Sequence, residues 1–443
     1  MSTSPTTAPR KHKFRSLAIA GVVAVGVVAA IAQTAPAARA DSGTTTPLLA
    51  AVGSDTIQDV YNQVSTDLGG STLNSFNATN PTTGAGGDTL TYTNEESGAS
   101  CSFTRPNGST QGLDALEASI GGAVGGGGVA TEPGLGCVDV ARSSAGPNAT
   151  GSGPAGGSYT GTNAIQFVPF ALDAVTGAIG PATGGTAFTA QSHDTNGDTL
   201  PATTVATTLP SAVNSFSLQN LKDLFGSGIS TNVTVGGVTT TFWPLGGSVA
   251  QPTGSQQIDL YIPQLGSGTE KFWASTLGFT AATPPAWDHT TIVNGALAPN
   301  ASDNPNHIVF SDEEHDGTNV ATDPLGYAPF SIAQWIAQSN GHNDRRHGAV
   351  LEDVNGVAPT TTANNTTVLN TSFPITRLVY SVVSLSRLTN TGDPLNALLD
   401  GSSSFLCQDT STILNYGFAL LNGSAATLNA TCGEITPALE AAP

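Results

Sequence analysis

The chain has 443 residues, with 32 Asp and Glu against 13 Lys and Arg and a formal net charge of −19. Five of those basic residues fall in the first forty positions and every acid falls after them, so like charge excludes nucleic acid and anionic membrane as partners. The length leaves room for two or three domains and a sizeable core. No stretch after the leader reaches ~18 uninterrupted apolar residues, which argues against a later membrane span.

Residues 1–40 read as a signal peptide. Arg10, Lys11, Lys13 and Arg15 form a basic start, Leu17 to Ala32 is apolar, and Ala38-Arg39-Ala40 is a small-x-small cleavage site. There is no Arg-Arg pair and no Cys after the apolar run, so general secretion without a lipid anchor is expected. Four cysteines remain in an exported chain, Cys101, Cys137, Cys407 and Cys432. That even count predicts two disulfides. Three pairings exist, and proximity in sequence favours Cys101–Cys137 and Cys407–Cys432. No spacing supports a metal site.

Leu48 to Val52 reads as a strand ending at Gly53-Ser54-Asp55-Thr56. Thr56 to Leu68 follows as a helix, with Ile57, Val60, Tyr61, Val64 and Leu68 on one face. Residues 69–100 read as loop. Arg105-Pro106-Asn107-Gly108-Ser109-Thr110 opens a second helix carrying Leu113, Leu116 and Ile120. Val138 and Val140 form a buried strand that ends at Arg142-Ser143-Ser144. Ala164 to Val175 is a long apolar strand, and 177–212 a Thr/Gly/Pro-rich insertion. Phe216 to Phe225 reads as a short helix and 231–243 as a hairpin. Ile258 to Ile262 is a strand that runs into Gly266-Ser267-Gly268-Thr269 and a further helix to Leu277. His307 to Phe310 is a strand, Phe330 to Gln338 a helix, 353–371 an Asn/Thr-rich stretch and Phe373 to Val383 a long strand. Leu395 to Leu399 and Ile413 to Leu421 read as helices. Short strands alternating with helices predict α/β sheets, in which ligands sit beyond the carboxyl ends of strands.

Four loops therefore stand where a helix begins. A helix N-terminus presents unpaired N–H groups and a partial positive charge, which suits an anion. Gly admits close approach, Ser and Thr add hydroxyl donors, and Arg adds charge. Helix capping alone explains any one of these loops. Four together, two of them with Arg in a chain poor in bases, point to one small oxyanion. The residues expected on it are Ser54, Asp55 and Thr56; Arg105, Ser109 and Thr110; Arg142, Ser143 and Ser144; and Ser267, Gly268 and Thr269.

On these loops, with Gln166-Phe167-Val168-Pro169-Phe170 and Phe373-Pro374-Ile375-Thr376-Arg377, the sequence resembles the phosphate-type substrate-binding proteins of ABC transporters. The resemblance covers about residues 48–435. It implies a two-lobe, type II periplasmic-binding-protein-like α/β fold with two hinge strands. Lobe one would be 41–163 plus 375–443, and lobe two 164–374. Each would hold a central sheet flanked by helices. The family often has an Arg just before the Ser-Gly-Thr loop, where Tyr261, Ile262 and Pro263 stand here; Arg142 or Arg105 is expected to replace that charge. It often has an Asp in the third loop, which here reads Arg-Ser-Ser; Asp55 and Asp139 are the alternatives for accepting a phosphate proton.

Other clusters carry less. Asp194 to Asp198 resembles the start of a calcium loop but lacks the following Gly and the distal Glu. Glu313-Glu314-His315-Asp316 suits a metal or acid–base chemistry, and equally a polar turn. Arg345-Arg346-His347 is a small basic cluster that either lies on the surface or reaches the cleft. No G-x-S-x-G, H-E-x-x-H or P-loop lysine is present. The expectation is a secreted, monomeric, non-enzymatic and cofactor-free binder of inorganic phosphate or a similar oxyanion, working with an ABC permease. The alternatives are a cell-surface or matrix protein that keeps the fold without transport, and an extracellular phosphatase-like enzyme.

Overall fold

The computed structural model describes residues 41, 46–121, 130–147, 164–181, 209, 211–245, 251–264, 266–279, 288–293, 296–299, 308–421 and 430–435. The leader, most of the 177–212 insertion and the 194–198 cluster lie outside them. All described residues belong to one compact unit, Pro36–Pro443.

The chain begins β1 (Leu49–Gly53), α1 (Gln58–Asp67), β2 (Leu73–Ser75), β3 (Thr89–Thr93), β4 (Ser100–Thr104), α2 (Ser109–Ile120), β5 (Val140–Ser143) and β6 (Ile165–Ile179). It continues with α3 (Leu218–Leu221), β7 (Thr231–Val235), β8 (Val238–Pro244), β9 (Gln256–Pro263), α4 (Gly268–Leu277), β10 (Asp288–Val293), β11 (Ala296–Pro299), β12 (Ile308–Asp312) and α5 (Thr318–Thr322). Then come β13 (Gly326–Ser331), α6 (Ile332–Ser339), β14 (Val350–Leu351), β15 (Thr360–Ala363), β16 (Thr366–Leu369) and β17 (Thr376–Ser384). The C-terminal part holds α7 (Leu385–Leu388), α8 (Pro394–Leu399), α9 (Phe405–Gln408), α10 (Thr410–Asn415) and β18 (Ala419–Leu420).

One mixed sheet runs in the order β11-β10-β12-β9-β13-β6-β17-β5-β1-β2. It contains two parallel blocks. In the first, β1 pairs parallel with both β2 and β5. In the second, β9 pairs parallel with both β12 and β13, and β10 pairs parallel with β12. The strand β1 is buried along its whole length, as a parallel strand covered on both faces should be.

Two long antiparallel strands join the blocks. Ile165 to Ala174 of β6 pair with β17, while Val175 to Ile179 pair with β13. At ~3.3 Å per residue the fifteen residues of β6 extend about 50 Å, so one strand serves both blocks. Each is buried along nearly its whole length, with one ion pair between them: Asp173 of β6 is the register partner of Arg377 of β17.

Several expectations are corrected. The stretch read as loop over 69–100 contains β2 and most of the β3–β4 hairpin, whose inward residues Leu90, Tyr92, Cys101 and Phe103 join the core. The Asn/Thr-rich stretch 353–371 contains the β15–β16 hairpin. The helix expected over 413–421 stops at Asn415, because Gly417 takes a φ of 80° and β18 then pairs with β6. Both disulfides are those favoured by proximity: Cys101–Cys137 and Cys407–Cys432, with Cα separations of 5.6 and 5.7 Å. Among the described residues no helix is long and apolar enough to cross a membrane.

Candidate functional site

Three strands of the parallel blocks, β1, β5 and β9, deliver the first, third and fourth loops from their carboxyl ends. The second loop follows β4 and is drawn in by a parallel bridge between Asn107 and Gly53. Glu314 and His315 follow β12 in the same way.

Three serines from three loops meet. Ser54 Oγ donates to Ser144 Oγ at 3.0 Å, and the Ser144 backbone N–H donates to Ser109 Oγ at 3.1 Å. None of the three is exposed. The start of α4 lies against them. A Cβ placed on Gly268 would stand 2.2 Å from both Ser109 Oγ and Ser144 Oγ, so only glycine permits this approach. The second loop meets the fourth backbone to backbone: Thr110 N–H donates to Gly266 O at 3.1 Å, and a Cβ on Gly108 (φ 115°) would lie 2.4 Å from that oxygen. Ser267 caps α4, its Oγ accepting from the N–H groups of Thr269 and Glu270. The starts of α1 and α2 have no side-chain cap among the described residues.

Beside the serines lies a second cluster. Thr56 Oγ1 and Thr269 Oγ1 are 3.4 Å apart, and both donate to Glu314 Oε1, at 2.8 and 2.5 Å. Arg377 Nη2 donates to Thr269 Oγ1 at 2.9 Å, while its Nε and Nη2 hold Asp173 Oδ2 at 2.9 and 2.8 Å. Asp55 Oδ2 lies 3.1 Å from His315 Nδ1 and accepts from Arg345 Nη2 at 2.9 Å. Burial alone would raise the Asp55 carboxyl, but Arg345 and His315 outweigh it and hold the group at about 2. Helix α6 fixes these loops from behind: Gln334 Nε2 donates to Thr56 O and Gln338 Nε2 to His315 O. Glu313, in the same turn, is raised to about 8, first by burial and then by the charge of Asp55.

Arg105 and Arg142 do not join these groups, which corrects the expected source of charge. Arg105 is held by Asp41 and Asp88, with ion-pair distances of 2.6 and 2.5 Å, and by Asn77 O. Arg142 is fully buried and donates to Ala51 O, Gly53 O, Ser54 O, Phe76 O and Ser75 Oγ. Burial pushes its guanidinium down to about 10. It ties the ends of β1 and β2 together. Ser143 closes a local turn, donating to Ala145 O. Asp139 lies at the start of β5, accepting from Ala50 N–H, Asn94 and Arg387, away from the third loop.

The residues that sequence reasoning left out of the site are Arg377, Arg345, Glu314, His315 and Gln334. Signals existed for all but Gln334: Glu314 and His315 stand in the acidic turn weighed for acid–base chemistry, and Arg345 in the basic cluster weighed for reaching the cleft. Arg377 and Asp173 are single charges in long apolar strands, and a buried charge requires a partner. Among the described residues, several buried polar atoms here lack a hydrogen-bond partner: Asp55 Oδ1, Glu314 Oε2, His315 Nε2, Gln334 Oε1 and Arg377 Nη1. Buried polar atoms are normally paired, so this group of neighbouring unpaired atoms singles the loops out as a candidate site. Among the described residues no group of acids, His and Cys has the arrangement of a metal site.

No family model and no curated protein matches the chain. Among solved structures it is similar to an ABC-type phosphate transport receptor from Vibrio cholerae, with 13% identity over 84% of this chain and 99% of that one and a TM-score of 0.39. It is similar to a human phosphate binding apolipoprotein at 12% identity over 84% and 90%, with a TM-score of 0.40. It is also similar to PstS from Borrelia burgdorferi at 10% identity over 84% and 98%, with a TM-score of 0.33.

Proposed function

We propose that this chain is an extracytoplasmic solute-binding protein that holds inorganic phosphate, or a similar tetrahedral oxyanion, between two lobes. The observation that carries the reading is the convergence of five hydroxyl side chains, Ser54, Thr56, Ser109, Ser144 and Thr269, on the starts of α1, α2 and α4. Hydroxyls and helix N-termini supply the donors a dehydrated oxyanion needs without a metal. Ser267 and Gly268 complete the fourth loop. Arg377 lends its charge through Thr269, in place of Arg105 and Arg142.

The lobes are 41–163 plus 375–443, and 164–374, turning about β6 and β17. Binding on one lobe followed by closure desolvates the anion. A monomer exported by its leader and delivering phosphate to an ABC permease fits this reading. One observation favours a second reading, phosphoester hydrolysis: Asp55 and His315 are in contact beside the threonine hydroxyls.

Calorimetric titration of the protein lacking its leader with phosphate and with sulfate tests the proposal. Saturable one-to-one binding of at least one anion, with no turnover of a chromogenic phosphoester, is expected. Absence of heat and of thermal stabilisation by either anion rules it out, and turnover moves the conclusion to the enzyme.

A further inference from the structure

The hydroxyls of Thr56 and Thr269 face each other across the two parallel blocks, and an oxygen already lies between them. It belongs to Glu314. The carboxylate is buried, 1% exposed, and reaches these donors from the turn after β12. That turn is pinned by Gln264, whose Oε1 accepts from Glu314 N–H at 2.9 Å, and by Gln338 on His315 O. The two nearby guanidinium groups are each taken by another carboxylate, Arg377 by Asp173 and Arg345 by Asp55. Among the described residues no Lys or Arg is therefore committed to Glu314 itself. Its anchors are the two threonine hydroxyls, with His315 Nε2 at 3.6 Å from the same oxygen.

A carboxylate oxygen and an oxyanion oxygen make the same demand on a hydroxyl donor. They also repel each other in a site of low effective dielectric. We propose that Glu314 is an intramolecular competitor of the ligand: it occupies the threonine donors in the empty protein, and the oxyanion binds by displacing it. Glu314 thereby sets the affinity of the site. The inference rests on the reading of the loops as an oxyanion site and adds to it a residue that weakens binding. The Glu314 side chain rotates away as the anion enters while its turn stays pinned, and the threonine hydroxyls pass from one acceptor to the other.

The test is calorimetric titration with inorganic phosphate and with sulfate of the wild-type protein and of Glu314→Gln, Glu314→Ala and Asp316→Asn. Gln is nearly isosteric and removes the charge, whereas Ala also frees both donors. Asp316→Asn removes the same charge two residues away, at a side chain bonded to the Thr318 N–H, and controls for the long-range field. Thermal melting verifies that each variant is folded. Loss of charge-assisted bonds that must otherwise be broken predicts tightening of roughly tenfold or more for both anions in both Glu314 variants. Asp316→Asn should change affinity by less than about twofold. Unchanged or weaker phosphate binding in Glu314→Gln and Glu314→Ala, with the wild type binding normally, overturns the proposal and leaves the oxyanion site standing; weakening would make the carboxylate a partner of a protonated ligand. Absence of binding in the wild type and in both folded Glu314 variants overturns the oxyanion site and the proposal with it.

Discussion

A guanidinium's role is set by what it reaches, and Arg142 and Arg377 show both outcomes. Arg142 stands inside a loop rich in Ser and was expected on the anion. Its side chain instead turns into the sheet and serves five acceptors at the ends of β1 and β2. Replacing it with Met removes a donor from four backbone carbonyls in a buried region, of which Ala51 O keeps the Phe76 N–H. Unsatisfied buried groups cost about 1–3 kcal/mol each, partly offset by relaxation and by no longer burying a charge. Arg142→Met should therefore lose about 3–5 kcal/mol in urea unfolding, with the phosphate affinity of the remaining folded protein changed little. A variant that melts like the wild type would show that these bonds carry no stability. Scarcity of bases draws attention to Arg142, but a sequence does not say toward which side a long side chain extends. Arg377 was equally visible and was read as part of a strand, because apolar neighbours dominate its periodicity. Its site partners, Thr269 and Asp173, lie 108 and 204 residues away in sequence.

The elements around the site were legible where local physics fixes them. A strand, a Gly-Ser step and an apolar-striped helix gave the first unit, and Ser267 before α4 is a cap in both sequence and structure. What escaped was geometry made by distant pairing. The β3–β4 hairpin alternates in short polar residues that read as loop, and it is held to the core by Leu90, Tyr92, Phe103 and a disulfide. In sequence the turn at Glu314 suits a metal or acid–base chemistry and equally a polar turn, and only the bonds from Gln264 after β9 and from α6 set it beside the loops. The start of α4 offers the test at this scale. Gly268→Ala adds a methyl group that belongs 2.2 Å from two serine oxygens on the other block. Alanine suits a helix better than glycine by roughly 1 kcal/mol, so α4 itself should not suffer. The two serine hydroxyls must turn away from their present bonds or the blocks must separate at this point instead. The expected result is a protein that still melts cooperatively but binds phosphate at least ~100-fold more weakly in calorimetry. Retained affinity would mean that α4 does not close on the serines when ligand is bound.

Across the whole molecule the excess of acids over bases leaves many carboxylates without a cation, and several are buried. Glu270 is the clearest. It is 1% exposed, neither oxygen has a hydrogen-bond partner among the described residues, and Lys271 Nζ is 3.6 Å away. Burial raises it to about 7, more than Lys271 lowers it. Asp59 is raised to about 6, first by burial and then by the charge of Asp55. A carboxyl with a raised folded-state pKa holds its proton in the native protein while the unfolded chain has lost it. Between the ordinary value of 4.5 for Glu and about 7 the native state therefore binds more protons than the unfolded state, and stability falls as pH rises. Asp55 has the opposite sign. Its depressed pKa gives stability that is present above its ordinary value of 3.8 and lost as pH falls toward about 2. The two trends place the greatest stability in the mildly acidic range, about pH 4 to 5. The melting temperature should decline steadily from there to about pH 8. Glu270→Gln removes one titrating group with little change in volume. It should melt higher than the wild type at about pH 8 by a few degrees, with the difference shrinking toward about pH 5. A gap between Glu270→Gln and the wild type that does not vary with pH would show that Glu270 keeps its charge in the folded protein, and a wild-type melting temperature that rises over that interval would show that other groups outweigh these carboxyls.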